Sequence, residues 1–347
     1  MSPNVSVPRR LAMAPSFPEH ATPAWRGPYR EGVIAVCGEL VADLIVRADG
    51  TLLPVPGGSP ANTALAAARL GLPVQFLGRF GDDVFGEAAW SRLRDAGVDL
   101  TGSVSARERS TLAVATTDAD GHARYVFWTQ GTADWQWTDA ELASAPAPAT
   151  RAVHTASVAS WTPPGAAAIL GLLTRARAAG LLVSYDPNVR PALLGGESRA
   201  IISAMVSQAG LVKVSDEDLA ALHPGQPPLT TARQWLALGP AAIVVTAGAE
   251  GATVLRADRP PLTVSAPPAH VVDTIGAGDT FTAGLLAALL GAVGDAPDAS
   301  ALLRQMDDEQ WTRALRTAAT AAAITCSRAG CNPPTRDELE AALATAG

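Results

Sequence analysis

Val153-His154-Thr155-Ala156-Ser157-Val158 opens the stretch that decides the fold: a short β-prone run followed by a helical segment near Pro164–Ala179. Leu181–Tyr185 repeats the pattern with a helix near Ser198–Ala209, and Leu211–Val214 repeats it again with a helix from Asp216. Strands alternating with helices predict a parallel sheet covered on both faces. Downstream, Ala242–Thr246 adds a strand, and alanine-rich helices are predicted over Thr280–Leu290, Gln310–Cys326 and from Arg336. Upstream, Val33–Val36 and Val74–Leu77 read as strands. Pro60–Leu70 and Val84–Ala96 read as helices closed by Gly71 and Gly97.

Two segments break this rhythm. Glu39 to Pro56 alternates around Ala48-Asp49-Gly50, and Thr111–Thr117 and Ala123–Trp128 flank Asp118-Ala119-Asp120-Gly121. Both read as hairpins, about 39–56 and 110–130, and together they predict a small β lid. Ser144–Thr150 and Ala292–Ser300 are low-complexity stretches expected as surface loops.

With 347 residues, 48% hydrophobic, the chain is long enough for one large α/β domain over 33–347. Residues 1–32 are proline-rich and basic without an apolar core, and read as a disordered or over-long extension with Met13 as an alternative start. A net charge of −7 argues against nucleic acid or an anionic membrane as partner. No apolar run reaches the roughly 18 residues of a membrane span. Cys37, Cys326 and Cys331 fit no zinc spacing and are expected as reduced thiols in a cytoplasmic protein. The basic residues are arginines apart from Lys213, so no Gly-Lys phosphate loop exists. A nucleotide, if bound, is held by another device.

Asp273-Thr274-Ile275-Gly276-Ala277-Gly278-Asp279-Thr280-Phe281 offers that device. Small residues at 276 to 278 let backbone N–H groups approach a ligand, and the following helix aims its positive dipole end at the same spot. This makes an anion hole, with Asp279 placed to accept a proton from an attacking hydroxyl. Taken alone, the loop also fits a capped helix with Asp279 in its first turn. Pro56-Gly57-Gly58-Ser59-Pro60-Ala61-Asn62 brings main chain and the amide of Asn62 to another strand-to-helix junction, where sugar hydroxyls could bind. Asp43 adds a carboxylate near the same sheet end.

Together, the glycine run at 57–62 with Gly71 and Gly81, and DTIGAGD at 273–279, resemble both signatures of the ribokinase-like (PfkB) carbohydrate kinases. The resemblance extends from about Val33 to the C-terminus. It implies a doubly wound α/β fold with a β-sheet lid, ATP and Mg²⁺ as cofactors, and transfer of the γ-phosphate to a sugar hydroxyl. It implies Asp279 as base, Gly276, Ala277 and Gly278 as anion hole, and Asp43, Gly57, Gly58 and Asn62 as sugar ligands. Ser215 with Asp218 resembles the Asn-x-x-Glu segment that organises Mg²⁺ through water, although both residues depart from the usual ones. Thr246, Gly248 and Gly251 resemble the loop beside the nucleotide, and Arg190 of Asp186-Pro187-Asn188-Val189-Arg190 a group steadying phosphate. Main-chain oxygens around Asp273, Thr274 and Ser327–Cys331 resemble a monovalent-cation site, often potassium. Lid sheets of the family sometimes pair between subunits, which leaves a homodimer open. Ser59 stands where ribokinases more often carry lysine, so the subfamily expectation is fructokinase, forming fructose 6-phosphate. The alternatives are a 2-keto-3-deoxygluconate, ribose or nucleoside kinase; Arg107, Arg109 and Arg124 keep the sugar acid open.

Overall fold

The computed structural model describes residues 32–47, 50–117, 123–293 and 298–345. The extension at 1–31, both predicted turn centres (48–49 and 118–121) and the Arg124 side chain lie outside the described residues.

From the N-terminus, β1 (Val33–Cys37) enters a hairpin of β2 (Val41–Val46) and β3 (Leu52–Gly57), and helix Ser59–Arg69 returns the chain to β4 (Val74–Leu77). The two-residue strands β5 (Arg79–Phe80) and β6 (Val104–Ser105) flank helix Val84–Asp95, and β7 (Thr111–Thr117) and β8 (Ala123–Trp128) form the second hairpin. Then come β9 (Thr150–Ala156), β10 (Leu182–Asp186), β11 (Leu211–Ser215) and β12 (Ala242–Thr246), followed by β13 (Ala252–Arg256) and β14 (Leu262–Val264).

Eight strands form one sheet in the order β14-β13-β12-β11-β10-β9-β1-β4, parallel from β4 to β12 and antiparallel at β13 and β14. Strands covered on both faces carry near-continuous apolar runs. In β1, Ile34 and Val36 pack into one core while Ala35 and Cys37 pack into the other. The first core holds helices Ser59–Arg69, Ala277–Val293 and Asp308–Cys326; the second holds Gly165–Ala178 and Ser198–Gln208. This is the doubly wound α/β architecture expected. The chain runs outward from β1 in both directions, to β4 and to β9, so the loops leaving β1 and β9 diverge and open a crevice at their carboxyl ends.

The hairpins join through parallel β2 and β7 into a separate sheet, β3-β2-β7-β8. The loop expected over Ala292–Ser300 fails at both ends, and its middle, 294–297, lies outside the described residues. Helix Ala277–Val293 runs through Ala292, and the next helix, Ala299–Gln305, begins at Ala299, which is buried against the core. Alanine-rich composition read as low complexity is here helix propensity put to use. Likewise the helix expected from Thr280 opens at Ala277, because Gly276 makes the turn with φ of 76°.

Candidate active site

Asp279 is the third residue of helix Ala277–Val293 and is 7% exposed. Its Oδ1 accepts from Ser59 Oγ at 2.6 Å and its Oδ2 from Asn62 Nδ2 at 3.1 Å. The two sequence motifs thus meet across some 220 residues of chain, with |i−j| of 220 and 217 for those bonds. Burial pushes the Asp279 carboxyl above its ordinary range, while Ser59, Asn62 and the Lys213 ammonium oppose the rise. Such a carboxylate is more basic than an exposed one, which suits a proton acceptor.

At the helix end, the Ala277 N–H turns back to Thr274 O at 3.2 Å, so donors for an anion come from the neighbouring first-turn amides. A Cβ on Gly276 would fall 2.4 Å from Cys331 Sγ, so a side chain there would collide as well as strain the backbone. Asp273 organises the approach. Its Oδ1 accepts from Ile275 N at 3.0 Å and its Oδ2 from Gly330 N at 2.8 Å, while Val272 N and Asp273 N donate to Cys326 O. The 272–276 and 326–331 segments, expected together, are therefore tied side by side.

Asp43 lies on β2, half-buried, and its carboxylate occupies the space a Cβ on Gly57 would take. Gly58, with φ of 100°, caps the following helix with its own hypothetical Cβ 2.5 Å from Glu39 O. The paired glycines thus serve first to pack the hairpin against the helix start. Burial pushes Asp43 up to about 6, opposed by Arg190 and Arg92. Arg190 is exposed and donates to Asn188 Oδ1 at 2.6 Å, and its charge is felt at Asp43, so it stands on the Asp43 side of the crevice as a neighbour of that carboxylate.

Ser215 and Thr246 are register partners at the ends of β11 and β12, and Gly248 and Gly251 turn the chain there with positive φ. Ser215 Oγ caps the next helix by accepting from Asp218 N at 2.9 Å, and Asp218 Oδ1 accepts from Val189 N at 2.9 Å. Three residues went unassigned in the sequence. Lys213, buried in β11, donates to Asp186 Oδ2 at 2.9 Å. Arg92 donates to Cys331 O at 3.1 Å and to Pro56 O, tying β3 to the C-terminal loop. The signal for Lys213 and Asp186 was present: a lone lysine inside Leu211-Val212-Lys213-Val214 must be buried and needs a carboxylate. Arg92 left none.

A buried carboxylate at a glycine-lined helix end, beside a second carboxylate and two hydrogen-bonding side chains, is the equipment of a phosphotransferase acting on a hydroxyl. Comparison with known proteins gives the particular family: the pfkB family carbohydrate kinase pattern matches residues 33–338, and the chain belongs to that family. It is 36% identical over 264 residues to a fructokinase of Rhizobium leguminosarum bv. trifolii, covering 74% of this chain and 79% of the relative. The fructokinase of Vibrio cholerae O395, solved with fructose, ADP and calcium ion, superposes with a TM-score of 0.75 at 28% identity, over 90% of this chain and 98% of that one. The aminoimidazole riboside kinase of Salmonella enterica, complexed with aminoimidazole riboside and an ATP analogue, gives 0.76 at 26% identity, over 90% and 100%.

Proposed function

We propose that this carbohydrate kinase is an ATP-dependent fructokinase that phosphorylates the 6-hydroxyl of fructose. The observation that carries the reading is Asp279, held by Ser59 and Asn62 at the anion-binding helix end. In this reading Asp43, Asn62 and the Gly57–Gly58 main chain orient the sugar, and Asp279 takes the proton of the hydroxyl that attacks. Amides at Gly276 and Gly278, on either side of the Ala277 N–H that turns back to Thr274 O, receive the developing negative charge. ATP supplies the γ-phosphoryl group; Ser215, Thr246, Gly248 and Gly251 border its place, with Arg190 at the edge. Exposed Val271, Val272 and Ile275 offer apolar surface to a purine nearby.

Among the described residues no group of three or more His, Cys, Asp or Glu could hold a metal. That donor set fits Mg²⁺ carried by phosphates and water, with Asp218 reaching it through water. The tied loops at Asp273, Thr274 and 327–331 supply main-chain oxygens of the kind K⁺ takes. The β3-β2-β7-β8 sheet would act as a lid. Its face opposite Asp43 exposes Leu52 (55%), Val126 (52%) and Trp128 (57%), a surface that a second copy of the chain would cover in a homodimer. Among the described residues no helix is long and apolar enough to cross a membrane, and a cytoplasmic setting accords with three free cysteines.

Coupled ADP release over fructose, ribose, 2-keto-3-deoxygluconate and a nucleoside tests the substrate. Fructose should give the highest kcat/KM, and Asp43→Ala should damage fructose use more than ATP binding. Greater activity on ribose, the sugar acid or the nucleoside removes the fructokinase assignment and leaves the kinase.

A further inference from the structure

In strands β9, β10 and β11, His154, Ser184 and Lys213 all lie on the face shared with the apolar Ala152, Leu182 and Leu211, toward the core of helix Ala277–Val293. Lys213 is the chain's only lysine and is 5% exposed. Its Nζ donates to Asp186 Oδ2 at 2.9 Å, and Asp186 is 1% exposed. A Cβ on Gly278 would stand 3.1 Å from Nζ, so the ammonium rests against the second residue of the helix. Cations are disfavoured at helix N-termini, where the dipole is already positive. A buried ion pair serving stability alone would gain nothing from this place. A cation here becomes favourable when negative charge sits at, or arrives at, the same helix end.

We propose that Lys213 is a positioning residue of the transfer site: held by Asp186 beneath Gly278, it is the fixed positive charge against which the Asp279 carboxylate and an arriving phosphoryl group are set. The inference rests on the kinase reading. Other titratable groups face it: Asp218 from helix Asp216–Leu222, His154 from β9 and, across Asp279, Cys331. His154 Nδ1 is paired with Ser184 Oγ at 3.0 Å, and burial together with the Lys213 charge pushes the imidazole down to about 3, so it stays neutral. Lys213 and Asp186 act on Asp279 with opposite signs, the ammonium favouring its ionised form and the carboxylate opposing it.

Because the chain has one lysine, protein labelled with ¹⁵N-lysine gives a single side-chain ammonium resonance. That signal should shift on Asp279→Asn and on adding the magnesium complex of a non-hydrolysable ATP analogue; a signal moved by neither overturns the proposal without any turnover assay. In kinetics, Lys213→Met should lower kcat by about 10²–10³, the usual cost of one electrostatic contact in a transfer site, with fructose KM changed far less. It should also move the acid limb of kcat/KM to higher pH, whereas Asp186→Asn should move it lower. The double variant Lys213→Met/Asp186→Asn removes both members of the ion pair, so neither is left buried without the other and charge is separated from folding; it should fold and still lack the kcat. Near-normal kcat in the folded double variant, or limbs that move alike while melting temperatures fall, reduces Lys213 to a core ion pair. Wild-type protein that transfers phosphoryl to no sugar counts against the kinase reading instead, and the resonance still decides the placement of Lys213.

Discussion

The proposed transfer site and the mount of the small sheet β3-β2-β7-β8 are both built on buried carboxylates, and they satisfy them differently. Asp279 accepts from two side chains, Ser59 and Asn62, with a cation set beneath the adjoining glycine. At the mount, Glu39 accepts from Ala159 N at 3.1 Å, and Asp134 from Leu40 N at 2.7 Å and Thr111 Oγ1. There the cation is Arg79, 6% exposed, which joins Glu108 at 3.0 Å, Ala133 O at 3.0 Å, and Glu141. Side-chain partners can rotate away when a substrate hydroxyl arrives; the Ala159 and Leu40 amides, which the mount adds to the side chains of Ser157 and Thr111, cannot without moving the chain. The first region is therefore suited to exchanging its partners, and the second to fixing where β2 and β7 leave the body.

The comparison breaks most visibly at its centre. Asp279→Asn keeps size and one of the two accepted hydrogen bonds but removes the proton acceptor, so kcat should fall by about 10²–10⁴ with a much smaller effect on melting temperature. Near-normal turnover of the folded variant would remove Asp279 from the mechanism. Arg79→Met should do the reverse. It leaves Glu108 and Glu141 facing a buried apolar site, and since both partners keep some exposure to water the loss should be about 2–4 kcal/mol of stability, less than for a fully buried pair. Fructose KM should rise as the mount loosens while kcat at saturation changes less. A variant as stable as the parent would show that Arg79 is not what holds the small sheet to the body.

The two regions were also unequally legible in the sequence. The parallel strands showed themselves because burial on both faces demands runs such as Ile34-Ala35-Val36 and Ala242–Thr246, and the hairpins because their arms alternate. Antiparallel β13 and β14 were missed: three to five residues behind Gly251 carry too short a pattern to separate from a loop. In the site, Asp279, Asn62, Asp43 and the glycines stand in local patterns with a local reason. Lys213 and Arg92 act through partners far along the chain, Asp186 and the carbonyls of Pro56 and Cys331, and spacing says nothing of such pairs. The whole Arg79–Asp134–Glu39 mount was invisible for that reason, since its members come from five separate segments.

The smallest expected effect concerns pH at that mount. Burial pushes Glu39 up to about 7 and Asp134 up to about 6, with the hydrogen bonds of Ser157, Ala159, Thr111 and Leu40 opposing the rise, and the Asp134 charge raises Glu39 further. Groups whose folded pKa exceeds the unfolded value bind more protons folded than unfolded. Their contribution is fully present below the unfolded value, near 4, and is lost as pH climbs through about 6 and 7. The slope from one such group is at most about 1.4 kcal/mol per pH unit. Glu39→Gln can still accept from Ala159 N through its amide oxygen and carries no charge at any pH, so it should flatten the fall in stability between pH 5 and 8. It also removes the repulsion felt by Asp134, which flattens the curve further. Urea midpoints for the two proteins at pH 5, 6, 7 and 8 give the test. Parallel curves would mean that Glu39 is already ionised across the range, and that the mount is held without a proton on that carboxyl.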